Sequence, residues 1–290
     1  MPMVVKADGL AKGKGVLICQ TSEEAVDAVD AVMKEKRFGS AGERLVIEQF
    51  LEGEEASIIA FTDGKTIAPM PSSQDHKRVF DSDRGPNTGG MGAYSPAPVI
   101  TEQVYDVIER EILIPIVHAL NVDGRQFRGC LYAGVIVTSD GPKVLEFNAR
   151  FGDPESQPLM VRLQSDIVPV LQAVVASDLR SARLRWDPRA SVCVVMASAG
   201  YPGSYPKGKP ITGLDEASKM ADVTVFHAGT ARVDGRIVTS GGRVLGVTAL
   251  GDSVEAAAKR AYEAASKIHF DGAHYRSDIA ARAFGRKPWG

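Results

Sequence analysis

Glu146-Phe147-Asn148-Ala149-Arg150-Phe151-Gly152-Asp153-Pro154-Glu155 closes an apolar run of strand character, residues 143–147. Glu146 and Asn148 stand two apart at the strand end, so their side chains project from one face. A carboxylate and an amide carbonyl are hard oxygen ligands, suited to Mg2+ that also bridges nucleotide phosphates. Arg150 continues the alternation and suits a phosphate or a carboxylate. Asp153 before Pro154 reads two ways: as the cap and first position of a helix running toward Leu163, or as a further functional carboxylate. The preceding strand, residues 131–137, offers no second carboxylate.

Upstream, residues 71–98 are polar and loop-like, with Gly85-Pro86-Asn87-Thr88-Gly89-Gly90-Met91-Gly92 at their centre. So long a structureless stretch in a compact domain is usually functional. Gln74-Asp75-His76-Lys77-Arg78 opens it, and Asp75, Lys77 and Arg78 read either as solvated charges or as contacts to a small charged substrate. At the N-terminus, Met3-Val4-Val5-Lys6 and Val16-Leu17-Ile18 read as strands flanking a glycine loop with Gly9, Gly13 and Gly15. A strand follows this loop, and Gly15 stands where a P-loop needs Ser or Thr, so a P-loop is excluded. Two readings stay open: a hairpin flap laying backbone N–H groups and Lys14 over phosphates, or a plain glycine turn with solvated lysines. Glu48, Phe50, Leu51 and Glu55 fit an adenine and ribose clamp, or simply an amphipathic strand with exposed acids. Nothing before Met3 supplies an initiating element, so the chain reads as starting in the middle of a fold.

Elsewhere Thr21 and Glu24 have capping-box spacing before a helix to about Lys36. Strands are expected at residues 45–51, 130–137 and 143–147, and a hairpin at 56–61 and 66–70 around Asp63-Gly64. A helix spans residues 102–119, capped by Thr101 and kinked at Pro115. A charged, proline-containing break at 185–189 is the expected domain boundary. Beyond it come strands at 192–197, 223–228 and 243–249 and a helix at 254–268. Strands and helices mixed with hairpins, rather than strict alternation, predict an α+β fold.

The 290 residues allow about two domains. With 44% hydrophobic and 24% charged residues, the chain has enough apolar material for a core without staples. A net charge of −2 without a run of Lys and Arg argues against nucleic acid. The most apolar stretch, residues 112–122, is too short for a membrane span. Three scattered cysteines, Cys19, Cys130 and Cys193, suit a reducing cytoplasm. No serine elbow, zincin motif or Cys-x-x-Cys is present. His118, His227, His269 and His274 are scattered and read as structural.

Together these segments resemble the phosphoribosylamine–glycine ligase family, glycinamide ribonucleotide synthetases of the ATP-grasp superfamily. The resemblance rests on Val5-Lys6-Ala7-Asp8-Gly9-Leu10-Ala11, Gly13-Lys14-Gly15-Val16, Ser73-Gln74-Asp75-His76-Lys77-Arg78, the 85–96 loop and Arg150-Phe151-Gly152-Asp153-Pro154-Glu155. It extends through Gly200-Tyr201-Pro202-Gly203, His227-Ala228-Gly229-Thr230 and Gly241-Gly242-Arg243-Val244-Leu245. It implies an ATP-grasp fold followed by a small C-terminal α+β domain. The small subdomain would occupy residues 1–52, the large one 53–188 and the C-terminal domain 189–290. It also implies ATP-driven joining of glycine to 5-phosphoribosylamine through a glycyl phosphate, with Mg2+ or Mn2+, in the cytoplasm, and with neither nucleic acid nor membrane as partner. In that scheme Lys6, Gly13, Lys14 and Gly15 meet nucleotide phosphates, while Glu48, Phe50, Leu51 and Glu55 hold adenine and ribose. Glu146 and Asn148 hold the metal. Asp75, Lys77, Arg78, Arg150, Asp153 and Pro154 lie at the substrates, with Lys14, Arg150 and Asp153 at the reacting phosphate.

Two departures stand out. The resemblance implies that family members begin with an N-terminal domain and the first elements of the ATP-grasp unit, both expected to be missing here. Residues 1–52 are then an incomplete small subdomain, and a separate chain is a source for the rest. Lys12 stands where the family has a small residue. A magnesium-nucleotide-binding fragment without activity, or another ATP-grasp carboxylate–amine ligase, are the competing readings, and the 150–155 stretch argues against the second.

Overall fold

The computed structural model describes residues 2–9, 11 and 15–286, divided into two units, Met1–Gly53 and Glu54–Gly290. In the first unit, β1 (Met3–Ala7) is the centre of an antiparallel sheet between β2 (Val16–Cys19) and β3 (Leu45–Gln49), with α1 (Ser22–Val29) against one face. Thr21 caps α1, its Oγ accepting from Glu24 N at 3.1 Å while Glu24 Oε2 accepts from Gln20 N at 2.6 Å. Val5, Cys19, Ala25 and Ala28 form the small core. Strand alternation turns Val4, Lys6, Val16, Ile18, Val46 and Glu48 to the opposite face, where Val16, Ile18 and Val46 stay exposed.

The second unit begins with β4 (Glu54–Thr62), β5 (Ile67–Pro69), β6 (Gln74–Asp75), β7 (Arg78–Phe80), β8 (Arg84–Asn87) and β9 (Gly92–Ser95). A helical stretch follows, α2 (Glu102–Ile108) and α3 (Ile114–Val122) joined by a wider turn, and Thr101 caps it as expected. Next come β10 (Gly129–Thr138), β11 (Gly141–Asn148), α4 (Ser156–Arg162) and α5 (Ile167–Ala176). The chain finishes with β12 (Ala190–Ala197), α6 (Leu214–Ser218), β13 (Val223–His227), β14 (Thr230–Val233), β15 (Arg236–Thr239), β16 (Arg243–Gly251) and α7 (Val254–Ala265).

Two sheets organise these elements, ordered β11-β10-β4-β5 and β13-β16-β12-β9-β6, with every recorded pairing antiparallel. The α+β expectation holds. Ile58, Ala60, Ala133 and Val135 enter one core cluster with Leu113, Val192 and Ala261, while Ile59, Phe61 and Tyr132 enter another with Leu159 and Val174. The four-stranded sheet is thus covered on both faces, which explains the near-continuous apolar run in β4.

Residues 71–98 are not the loop that their polarity suggests, since they contain β6 to β9. β8 is four exposed residues, Arg84 to Asn87, paired through its backbone to β7, so no apolar alternation marks it. The helix expected from Asp153 also starts later. Asp153 and Pro154 lie in a turn, and Glu155 precedes α4 as its cap residue. Helix α5, capped by Asp166 through Val168 N at 2.9 Å, and the β14–β15 hairpin around Asp234-Gly235 add to the elements expected from sequence. The second repeats the Asp-Gly turn signal that marked β4 and β5.

Candidate functional site

In the first unit, Lys6 and Glu48 lie on the exposed apolar face and form an ion pair of 2.5 Å. Phe50 and Leu51 are half-buried just past β3. Gly13 and Lys14, together with Leu10 and Lys12 of the same loop, lie outside the described residues.

The second unit gathers five of the expected side chains, Glu55, Asp75, Lys77, Glu146 and Asn148, around one sheet face. Pairing sets Gly134 opposite both Glu146 and Ser57, Tyr132 opposite Asn148 and Ile59, and Ile136 opposite Glu55. Directly opposed residues share a face, so Glu55, Ser57, Tyr132, Glu146 and Asn148 line up across three strands. A bulge near Gly134 re-aims the end of β11. Asn148 Nδ2 donates to Glu146 Oε1 at 3.2 Å, which brings the two expected metal ligands together.

The segment after β6 reaches the same face. Lys77 pairs with Glu55, and the Asp75 and Glu55 charges outweigh burial to raise its ammonium above the ordinary range, with Glu146 adding to the effect. Burial pushes the Asp75 carboxyl up to about 7; Lys77 opposes this, and the Glu155 and Glu55 carboxylates reinforce it. Among the described residues the Asp75 carboxyl accepts no hydrogen bond. Arg78 is held away from this group, its Nη1 donating to the Gly85 carbonyl at 2.6 Å. Glu48 and Glu55, expected to serve one nucleotide, fall in different units.

Sequence reading gave no role to the buried partners. Tyr132 Oη lies 2.8 Å from Glu155 Oε1 and 2.7 Å from Ser57 Oγ, anchoring a carboxylate that is 4% exposed. Arg150 is exposed, with Nη1 on the Phe151 carbonyl at 2.9 Å. Asp153 pairs with Arg243 at 2.9 Å, and Pro154 is buried beside it. Thr88 N donates to the Lys77 carbonyl at 2.7 Å and Met91 N to the His76 carbonyl at 2.7 Å, so the glycine-rich loop folds back on 76–78. Beneath it, Arg276 is 1% exposed and bonds Asp83, Asp278 and the Arg78 carbonyl at 2.7–3.1 Å. Glu155 closes the 146–155 stretch and was within reach of sequence reasoning. Arg243 and Arg276, far along the chain, left no local signal.

Among the described residues no three His, Cys, Asp or Glu side chains converge to hold a metal on their own. None of their helices is long and apolar enough to cross a membrane.

Residues 1–156 match the phosphoribosylglycinamide synthetase ATP-grasp (A) domain, and residues 191–282 match the C domain of the same synthetase. The chain is 56% identical over 282 residues to phosphoribosylamine–glycine ligase of Rhodopirellula baltica, covering 97% of this chain and 64% of the relative. It is 53% identical over 287 residues to that of Vibrio cholerae, covering 99% and 67%. It therefore spans about two thirds of the length of these relatives. The crystal structure of the Thermotoga maritima phosphoribosylamine–glycine ligase superposes with a TM-score of 0.80 at 36% identity, covering 96% of this chain and 68% of that one. A biotin carboxylase domain from Hydrogenobacter thermophilus shares the fold at 17% identity and a TM-score of 0.68, covering 95% and 58%. The chain belongs to the phosphoribosylglycinamide synthetase family, with an ATP-grasp fold followed by the family's C domain.

Proposed function

We propose that this chain takes part in purine biosynthesis as the ATP-dependent ligase that joins glycine to 5-phosphoribosylamine, releasing phosphoribosylglycinamide, ADP and phosphate in the cytoplasm. The observation that carries this reading is the family membership, joined to the alignment of Glu55, Glu146 and Asn148 on one sheet face beside Lys77 and Asp75. The glycine carboxylate attacks the γ-phosphate of ATP, and the amine of phosphoribosylamine then displaces phosphate from the resulting acyl phosphate. Little covalent work falls to the protein, so positioning and charge neutralisation dominate.

Glu146 and Asn148 fit a divalent ion, Mg2+ or Mn2+, because both offer a hard oxygen from adjacent side chains on one sheet face, and two protein ligands suffice when phosphates and water supply the rest. That ion would neutralise charge on the transferring phosphate. Lys6, Gly13, Lys14 and Gly15 serve the nucleotide phosphates, with Glu48, Phe50, Leu51 and Glu55 at adenine and ribose. The exposed apolar face around Lys6 supports a planar base there. Asp75, Lys77, Arg78 and Arg150 address the two substrates, and Asp153 and Pro154 shape the turn beside them. In domain terms, 1–52 and 53–188 form the two ATP-grasp subdomains and 189–290 the C-terminal domain, although β9 and β12 share a sheet across that last limit.

The test is ADP release with Mg-ATP, glycine and freshly generated phosphoribosylamine, omitting each in turn. It is run on the 290-residue chain alone and with the remaining third of a relative added as a separate chain. Release requiring all three in either arm supports the ligase. Release with a different acid and no need for glycine overturns it.

A further inference from the structure

We propose that Arg243 is a positioning residue that locks the glycine-rich 85–92 loop onto the Asp153-Pro154 turn, making the C domain part of the substrate site. This rests on the reading that this loop and turn border the substrates. Arg243 Nη1 donates to the Gly89 carbonyl at 2.7 Å and to the Asp153 carbonyl at 2.8 Å, while Nη2 pairs with Asp153 Oδ2 at 2.9 Å. One planar fork therefore joins two segments that sequence keeps far apart, with three acceptors in a geometry that an ammonium does not match.

Neighbouring contacts reinforce the joint. The Tyr201 hydroxyl accepts from Gly89 N at 3.0 Å, a second tie from the C domain to the same loop. Gly90 has φ +115°, and a Cβ there would come within 2.3 Å of Pro154 Cδ, so loop and turn meet with no room for a side chain. The other Asp153 oxygen, Oδ1, accepts from Gln157 Nε2 at 3.0 Å. Both carboxylate oxygens are thus engaged by protein, which makes Asp153 the joint that Arg243 grips. Arg243 itself keeps 21% side-chain exposure, so its truncation leaves no deeply buried vacancy.

The test is hydrogen exchange on the full chain with Arg243→Ala, Arg243→Lys and, as control, Arg232→Ala on the exposed β14–β15 hairpin. The expected result is about tenfold faster exchange in both 85–92 and 152–156 for Arg243→Ala, with an intermediate effect for Arg243→Lys, which keeps the charge but not the fork. Arg232→Ala leaves both segments unchanged. Calorimetry with phosphoribosylglycinamide as probe is expected to show about tenfold weaker binding to Arg243→Ala at an unchanged melting temperature and ATP affinity. Unchanged exchange in both segments overturns the proposal, and so does faster exchange with undiminished probe affinity. Should Arg243→Ala fail to fold, Arg243→Lys carries the same two readings. Faster exchange in a chain whose unaltered form binds no probe sustains the lock and counts against the ligase reading instead.

Discussion

Lys77 pairs with Glu55, and the Asp75 and Glu55 charges hold its ammonium charged while burial works against it. Burial pushes the Asp75 carboxyl up to about 7 from its ordinary 3.8. A carboxyl raised in this way binds its proton more tightly folded than unfolded, so its contribution to stability is full below about pH 4 and is lost as pH rises through about 7. Asp75→Asn removes that titration. The melting temperature of the variant should therefore fall less than that of the unaltered chain between about pH 5 and about pH 8. Parallel profiles would mean that Asp75 is not held protonated. Glu146 is exposed, so Glu146→Ala should leave the melting temperature unchanged while Mg-dependent nucleotide turnover falls by about a hundredfold or more. Normal turnover in that variant would remove the metal assignment.

At the level of elements, the glycine-rich loop is held from beneath by its own flanks and by the C-terminal segment. His76 is 2% exposed, and its Nε2 accepts from Ala280 N at 2.9 Å. Burial, with Arg282 and Arg276 adding to it, lowers its pKa to about 3 from 6.5. The neutral imidazole is the form that fits, so stability from this contact is present above about pH 6.5 and is lost as pH falls toward about 3. His76→Gln keeps an acceptor without the titration, and urea unfolding should show a shallower loss between about pH 7 and pH 4.5 than in the unaltered chain. A loss of equal depth would place the acid sensitivity elsewhere. Gly90→Ala combines an unfavourable φ with overlap on Pro154, which predicts about 2–4 kcal/mol of destabilisation by the same unfolding measurement.

Across the second unit, the sheet β13-β16-β12-β9-β6 takes β6 and β9 from before the 185–189 break and β12, β13 and β16 from after it. Arg162, 1% exposed, ties α4 to Ser95 Oγ at 2.7 Å and to the Asp187 carbonyl at 3.2 Å, and burial lowers its guanidinium to about 10. One core cluster runs from Ile58 and Val135 through Tyr94 to Val194 and Ala257. Residues 54–188 alone would expose that cluster and leave β9 without its β12 partner. Expressed by themselves they should aggregate or lack a cooperative melt, whereas 54–290 should melt in one transition by calorimetry. A soluble, cooperatively melting 54–188 fragment would show that the break divides stability as well as sequence.

Sequence alone determined what local chemistry can write. The Thr21–Glu24 box, the Thr101 cap, the Asp63-Gly64 turn and the alternation that places Glu146 beside Asn148 are all readable within a few residues, because each depends on neighbours along the chain. Only the tertiary structure decided the rest. It drew 71–98 into four short strands that no apolar pattern announces, and it moved the start of α4 past Asp153. It also seated Arg243, Arg276 and Tyr132 behind the loop and the carboxylates. Those outcomes depend on backbone pairing and charge contacts between residues far apart in sequence, and such partners become neighbours only when both sheets close on a shared core.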